Sequence, residues 1–195
     1  NFWIKTRKLI VHKKTQFMES HIGVGVGKFI ETEFESAKNH IWISSPTISQ
    51  NIGKKLFDLA KKGINIRVLT SDKITNESDL TNQLAKKLIL TNKNNNNLFP
   101  LDYKIVSPKE IPMIHAKIYI IDGKCAIIGS ANLTENHFWN YAEYILVLRE
   151  PDFIQTIKED FEKLWNSCHY AEIDMPGTKK NFKDKVRKIR RGFTK

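Results

Sequence analysis

The stretch His115-Ala116-Lys117-Ile118-Tyr119-Ile120-Ile121-Asp122-Gly123-Lys124-Cys125-Ala126-Ile127-Ile128-Gly129-Ser130-Ala131-Asn132 reads as two apolar strands joined by a tight turn. Asp122-Gly123 between two apolar runs is a strong signal for a two-residue hairpin loop. Side chains alternate along a strand, so His115 and Lys117 point the same way. If the loop is Asp122-Gly123, residue 121 faces 124 and Ser130 falls opposite His115. If the loop is Gly123-Lys124, Ser130 falls opposite Lys117 and Asn132 opposite His115. Either register gathers an imidazole, an ammonium, a hydroxyl and an amide at one end of a hairpin.

Outward from this hairpin, apolar β-type runs alternate with helical patterns, the signature of an α/β fold. Val26, Phe29, Ile30, Phe34 and Ala37 share a helical face over 26–39, and 41–45 is a strand stopped by Pro46. A helix over 51–62 turns Ile52, Leu56, Leu59 and Ala60 inward and stops at Gly63, and 64–69 alternates as a strand. This β-α-β unit predicts a right-handed crossover and a parallel strand pair. Further along, the pattern predicts a helix over 77–90 and a loop at 94–97. A strand at 103–106, a loop over 107–113 and strands at 115–121, 125–128 and 142–148 follow. Pro151 opens a last helix, with Phe153, Ile154, Ile157, Phe161, Leu164 and Trp165 as its apolar stripe. The expected architecture is one α/β domain, a mixed, mostly parallel β-sheet flanked by helices on both faces. Gly23, Gly25 and Gly27 resemble a phosphate loop. However, no strand precedes them in the proper arrangement and no Gly-Lys-Ser/Thr follows, so a turn or helix start is the better reading.

A chain of 195 residues with 41% hydrophobic content is long enough for one sizeable core. No apolar run approaches the roughly 20 residues that cross a bilayer, so no integral membrane association is expected. Cys125 and Cys168 are too few for a disulfide scaffold and fit a reducing compartment. A cytoplasmic location is favoured, although a chain that begins at Asn1 leaves a removed signal peptide open.

The net charge of +11 is unevenly placed: 178–195 carries nine Lys/Arg and one acid, 1–14 carries five Lys/Arg and no acid, and the rest sums to −2. The expected organisation is a basic N-terminal arm or extra strand at 1–16, a catalytic domain over 17–170 and a basic tail at 171–195. A near-neutral body with two basic ends points to a polyanion, either nucleic acid or an anionic membrane surface. The bland alternative is a solubilising tail. Lys179, Lys180, Arg187, Arg190 and Arg191 are the tail's candidates for substrate contact.

The hairpin's polar groups suit a phosphodiester. A lysine and neutral donors can hold non-bridging oxygens, and a histidine can attack phosphorus or move a proton near neutral pH. No dense carboxylate cluster or His/Cys set suggests a metal site, so a metal-free reaction with no cofactor is expected.

The order His-x-Lys, four residues, Asp, six residues, Gly-Ser, one residue, Asn resembles the signature of the phospholipase D superfamily, matched at His115, Lys117, Asp122, Gly129, Ser130 and Asn132. An acid that the family often carries near the next strand maps to Glu143. The likeness extends upstream to the first β-α-β unit and covers roughly residues 22–168. Most members carry the motif twice, facing each other across a pseudo-twofold axis. This chain has one copy, so the resemblance implies a homodimer with His115 of each subunit meeting at the axis. It further implies that one His115 forms a covalent phosphohistidine while the other serves the leaving oxygen. Lys117 and Asn132 would bind phosphate, Ser130 would hydrogen-bond at the site, and Asp122 and Glu143 would orient the histidines and lysines.

Single-motif members include endonucleases and a lipase/nuclease branch. The basic ends favour nucleic acid for a metal-independent homodimeric endonuclease, and DNA is taken as the favoured substrate over RNA. The alternatives are a phospholipase or phosphatidyl-transferring enzyme on anionic membranes, and a catalytically dormant nucleic-acid-binding module. His12, His21, His40, His137 and His169 read as surface or packing residues, with His137, Trp139 and Asn140 also candidates for lining a substrate channel. Trp42, Trp165 and Cys125 read as packing.

Overall fold

The computed structural model describes residues 11–14, 17–71, 99–106 and 114–168. In chain order these form β1 (Val11–Lys14), β2 (Met18–Val24), α1 (Gly27–Ser36), β3 (His40–Ser44), α2 (Gln50–Lys61), β4 (Asn65–Ser71) and β5 (Leu101–Val106). Then come β6 (Ile118–Ile121), β7 (Cys125–Gly129), a π-helical turn (Asn136–Asn140), β8 (Ala142–Leu148) and α3 (Pro151–Ser167). The strands make one sheet in the order β1-β2-β8-β7-β6-β3-β4-β5.

Strand alternation sorts the core into two layers. On one face Ile41, Ile43, Ile66, Val68, Tyr119 and Ile121 pack against Ile30 and Phe34 of α1 and Ile52 and Leu56 of α2. On the other, Trp42, Leu69, Val106 and Ile120 meet Phe161 and Trp165 of α3. The side chain of Arg67 lies over Trp42 and Trp165, at 4.8 and 5.7 Å from the ring centres. The expected single α/β sheet with helices on both faces is therefore present, but the expected predominance of parallel pairs is not. Among the described strands only β3–β4 and β4–β5 run parallel; β1–β2, β2–β8, β3–β6, β6–β7 and β7–β8 are antiparallel. A parallel neighbour needs a long crossover, which α2 supplies between β3 and β4. The connection from β6 to β7 is too short for one and turns straight back.

The hairpin takes neither expected register. Ile121 pairs with Cys125 and Ile118 with Ile128, leaving residues 122–124 as a three-residue connection. Asp122 (φ 53°) and Gly123 (φ 62°) are left-handed, and the Lys124 amide donates to the Ile121 carbonyl at 2.9 Å. Lys124 is thus left over as an unpaired residue, and the register falls midway between the two alternatives. The first of these strands also starts at Ile118 rather than 115, so His115 and Lys117 sit just beyond the ladder.

The glycine-rich segment is a turn and helix start from Gly25 on, as expected, but a strand does precede it, against expectation: Gly23 lies in β2, opposite Glu143 of β8. Gly23 and Gly25 have φ of 127° and 89°, and Gly27 opens α1. A side chain at Gly27 would meet Phe138 Cβ at 2.3 Å. Residues 11–14 of the N-terminal arm form an edge strand on β2. The expected helix over 77–90, the loops at 94–97 and 107–113, and the basic tail lie outside the described residues.

Candidate active site

The site lies along one edge of the sheet, where β3, β4 and β7 end and β6 and β8 begin. Two short segments beyond the ladders carry its chemistry, and buried hydroxyls at the strand ends hold them. At the end of β4, Ser71 Oγ accepts from the Ile114 amide at 2.6 Å and donates to its carbonyl at 3.2 Å. At the end of β3, Ser44 Oγ donates to the Ala116 carbonyl at 3.1 Å. Ser45 Oγ accepts from the Leu133 amide at 3.0 Å, and the Ser49 amide donates to the Leu133 carbonyl at 3.0 Å. Tyr119 Oη, whose pKa is raised by burial, donates to the Ala131 carbonyl at 2.7 Å. The sequence reading missed these supports. Their signal is the hydroxyl pairs, Ser44-Ser45 and Thr70-Ser71, that terminate apolar strands.

His115, Lys117, Gly129, Ser130, Asn132, His137 and Glu143 line a cleft of about 450 Å³. Lys117 Nζ donates to the His115 carbonyl at 2.8 Å and lies 3.1 Å from both imidazole nitrogens. Burial holds the Lys117 pKa below the usual lysine value, with the charge of Glu143 opposing that shift. On the far wall a chain of contacts runs through four side chains. Asn132 Nδ2 is 2.9 Å from His137 Nε2, and His137 Nδ1 is 2.6 Å from Glu143 Oε1. Glu143, 8% exposed, also accepts from Ser130 Oγ through its other oxygen. Ser130 is pinned to β8 by its amide donating to the Tyr144 carbonyl and by its Oγ accepting from the Tyr144 amide, both at 3.0 Å. Gly129 permits that approach, since a Cβ there would lie 2.1 Å from the Tyr144 carbonyl oxygen.

Five of the six expected catalytic residues therefore converge: His115, Lys117, Ser130, Asn132 and Glu143. Asp122 does not join them. An extended chain rises about 3.3 Å per residue, which places Asp122 roughly 20 Å from His115, at the far end of β6. There its carboxylate accepts the amides of Lys38, Asn39 and His40, each at 2.8 Å, and ties the α1–β3 loop to the hairpin. Of the candidate lining residues, His137 is in the cleft, and its reading as a packing histidine is corrected. Trp139 is 40% exposed and Asn140 bonds Asn136 at 2.9 Å; neither lines the cleft. Trp42, Trp165 and Cys125 are buried as expected, and burial pushes the Cys125 thiol up to about 12. Lys179, Lys180, Arg187, Arg190 and Arg191 lie outside the described residues.

An imidazole at the cleft mouth beside an ammonium and an amide is suited to a phosphoryl centre. The family model described as cardiolipin synthase, PLD-like domain, matches residues 30–165. Cardiolipin synthase 1 of Bacillus anthracis is 33% identical over 129 residues, which is 65% of this chain and 24% of that protein. The chain spans about a quarter of the length of the cardiolipin synthases it matches. Nuc, a phospholipase D family member from Salmonella typhimurium, superposes with a TM-score of 0.61 at 18% identity, over 80% of this chain and 99% of its own. NucT from Helicobacter pylori does so with a TM-score of 0.60 at 17% identity, over 79% and 99%. The two structures share the fold, the family model spans most of the sequence, and the chain belongs to the phospholipase D superfamily, whose members act on phosphodiesters.

Proposed function

We propose that this chain is a metal-independent endonuclease, with DNA favoured as substrate, acting as a homodimer through a covalent phosphohistidine. The observation that carries the reading is the meeting of His115, Lys117 and Asn132 in one cleft, a nucleophile beside two donors for non-bridging oxygens. A nitrogen of His115 attacks phosphorus as the P–O bond to the leaving group breaks. The partner's His115 gives its proton to the leaving oxygen. Water then attacks phosphorus as the P–N bond breaks, passing a proton to the partner's His115, so that the phosphomonoester leaves and the first His115 is regenerated. Glu143, already engaged by Ser130 and His137, is a poor start for a divalent-cation site, which needs several free oxygens.

Two features support the dimer. One signature copy supplies one imidazole where the reaction needs two. Beside the cleft, Ile22 and Tyr144, cross-strand partners on β2 and β8, form an exposed apolar strip with Val24 and Tyr141. The basic ends favour a nucleic-acid backbone. The second reading, phosphatidyl transfer, is favoured by the family model's description and the Bacillus relative.

Plasmid nicking in EDTA, run for the wild type and His115→Ala beside phosphatidylglycerol vesicles, separates these readings. Nicking by the wild type, reduced roughly 10³-fold or more in the variant, is expected. Turnover of the vesicles alone would establish the second reading. Binding to DNA with neither turnover would establish a dormant module.

A further inference from the structure

We propose that His137 is a positioning residue that fixes the amide of Asn132 as a phosphate donor, an inference that rests on the cleft being a phosphodiester site. The protonation pattern follows from the contacts. A carboxylate only accepts, so His137 Nδ1, 2.6 Å from Glu143 Oε1, carries a hydrogen. The orientation of Asn132 decides the other nitrogen. Asn132 Oδ1 is buried without a hydrogen-bond partner. This leaves Nδ2 as the amide atom directed at the imidazole. Asn132 Nδ2 therefore faces His137 Nε2 at 2.9 Å, and Nε2 accepts. In this arrangement His137 carries its hydrogen on Nδ1 and offers Nε2 as the acceptor.

Asn132 Nδ2 has a second hydrogen. With Oδ1 buried, this nitrogen is the polar atom that Asn132 presents to the cleft, and a phosphate oxygen is its natural acceptor. The ring is held by an edge contact with Tyr141, centres 5.1 Å apart, and by its residue's amide donating to Thr134 Oγ1 at 3.4 Å. Without the Nε2 acceptor the Asn132 amide is free to turn and offer a carbonyl to the phosphate. His137 acts through Asn132 and does not itself need to touch substrate. The sequence feature behind it is a histidine five positions after Asn132, placed on the same wall by the π-helical turn.

A double-mutant cycle on the full chain tests this, with bis(p-nitrophenyl) phosphate as a probe that is neither nucleic acid nor lipid. His137→Phe keeps an aromatic ring against Tyr141 and should lower kcat/KM about tenfold, chiefly through KM. In an Asn132→Ala background the same change should cost less than about twofold. His137→Gln, which retains an acceptor for Asn132 and a donor for Glu143, should recover most of the loss. Full losses that multiply in the double variant, or His137→Phe turning over like wild type, overturn the proposal. Imidazole ¹⁵N spectroscopy of the wild type reads the same point without turnover. A protonated Nδ1 with an unprotonated Nε2 is expected, and an Nε2–H tautomer refutes the assignment even if cleavage is intact. A wild type with the expected tautomer that hydrolyses no diester would instead refute the proposed activity.

Discussion

Asp122 is the signature residue whose work lies farthest from the chemistry. Burial raises its pKa, but the amides of His40, Lys38 and Asn39 more than offset this and leave it below the usual carboxylate value. A carboxylate with a depressed folded pKa stabilises fully above its unfolded value of about 3.9, and that contribution is lost as the pH falls through the lower folded value. Asp122→Asn, which tolerates the left-handed backbone at this position, should cost about 1–3 kcal/mol at pH 7. The gap should narrow toward pH 3 in urea melts at both pH values, while turnover below the melting range stays within about twofold of wild type. His115, Lys117 and Asn132 were legible because their spacing is a chemical pattern. His137 was legible only as a candidate for lining the cleft, since its contacts with Asn132 and Glu143 depend on where the chain after Asn132 turns back, and Asp122 was misplaced because sharing a motif is not sharing a site.

At the scale of elements, strands and helices were read within a few residues wherever apolar periodicity was strong, as in β8 and in α3 from Pro151. Pairing was harder. One unpaired residue, Lys124, shifts every partner across β6 and β7, and a two-residue turn signal does not reveal it. The π-helical turn follows no period that a helix or strand pattern detects. Gly129 links the elements to the cleft: its missing side chain lets β7 approach the Tyr144 carbonyl and the Ile145 Cα, which a Cβ would meet at 2.1 and 2.9 Å. Gly129→Ala should therefore destabilise by about 1–3 kcal/mol and depress turnover further than stability alone explains, because Ser130 and Glu143 sit across that contact. Thermal melts paired with turnover at a temperature where the variant is fully folded measure the two effects separately.

For the whole molecule, the class of fold followed from alternating patterns, while the balance of parallel and antiparallel pairs depended on connections that composition does not encode. Charge makes its own forecast at this scale. If the basic ends meet a nucleic-acid backbone, cleavage of DNA at limiting substrate should fall at least about tenfold between roughly 50 and 200 mM salt, and removal of 178–195 should flatten that slope. Hydrolysis of bis(p-nitrophenyl) phosphate, with a single charge, should barely respond. A steep slope in the truncated chain would move the contact to the body. The fastening of the cleft has a consequence for endurance. Its two chemical segments hang from the sheet by the hydroxyls of Ser44, Ser45 and Ser71 and by Tyr119 Oη, whereas the strands hold one another through whole ladders. On heating, the proposed activity should fade several degrees before the far-ultraviolet dichroism of the sheet changes, and amide deuterium should enter at Ile114 and Leu133 while β3 and β4 remain closed: the cleft is disarmed before the fold is lost.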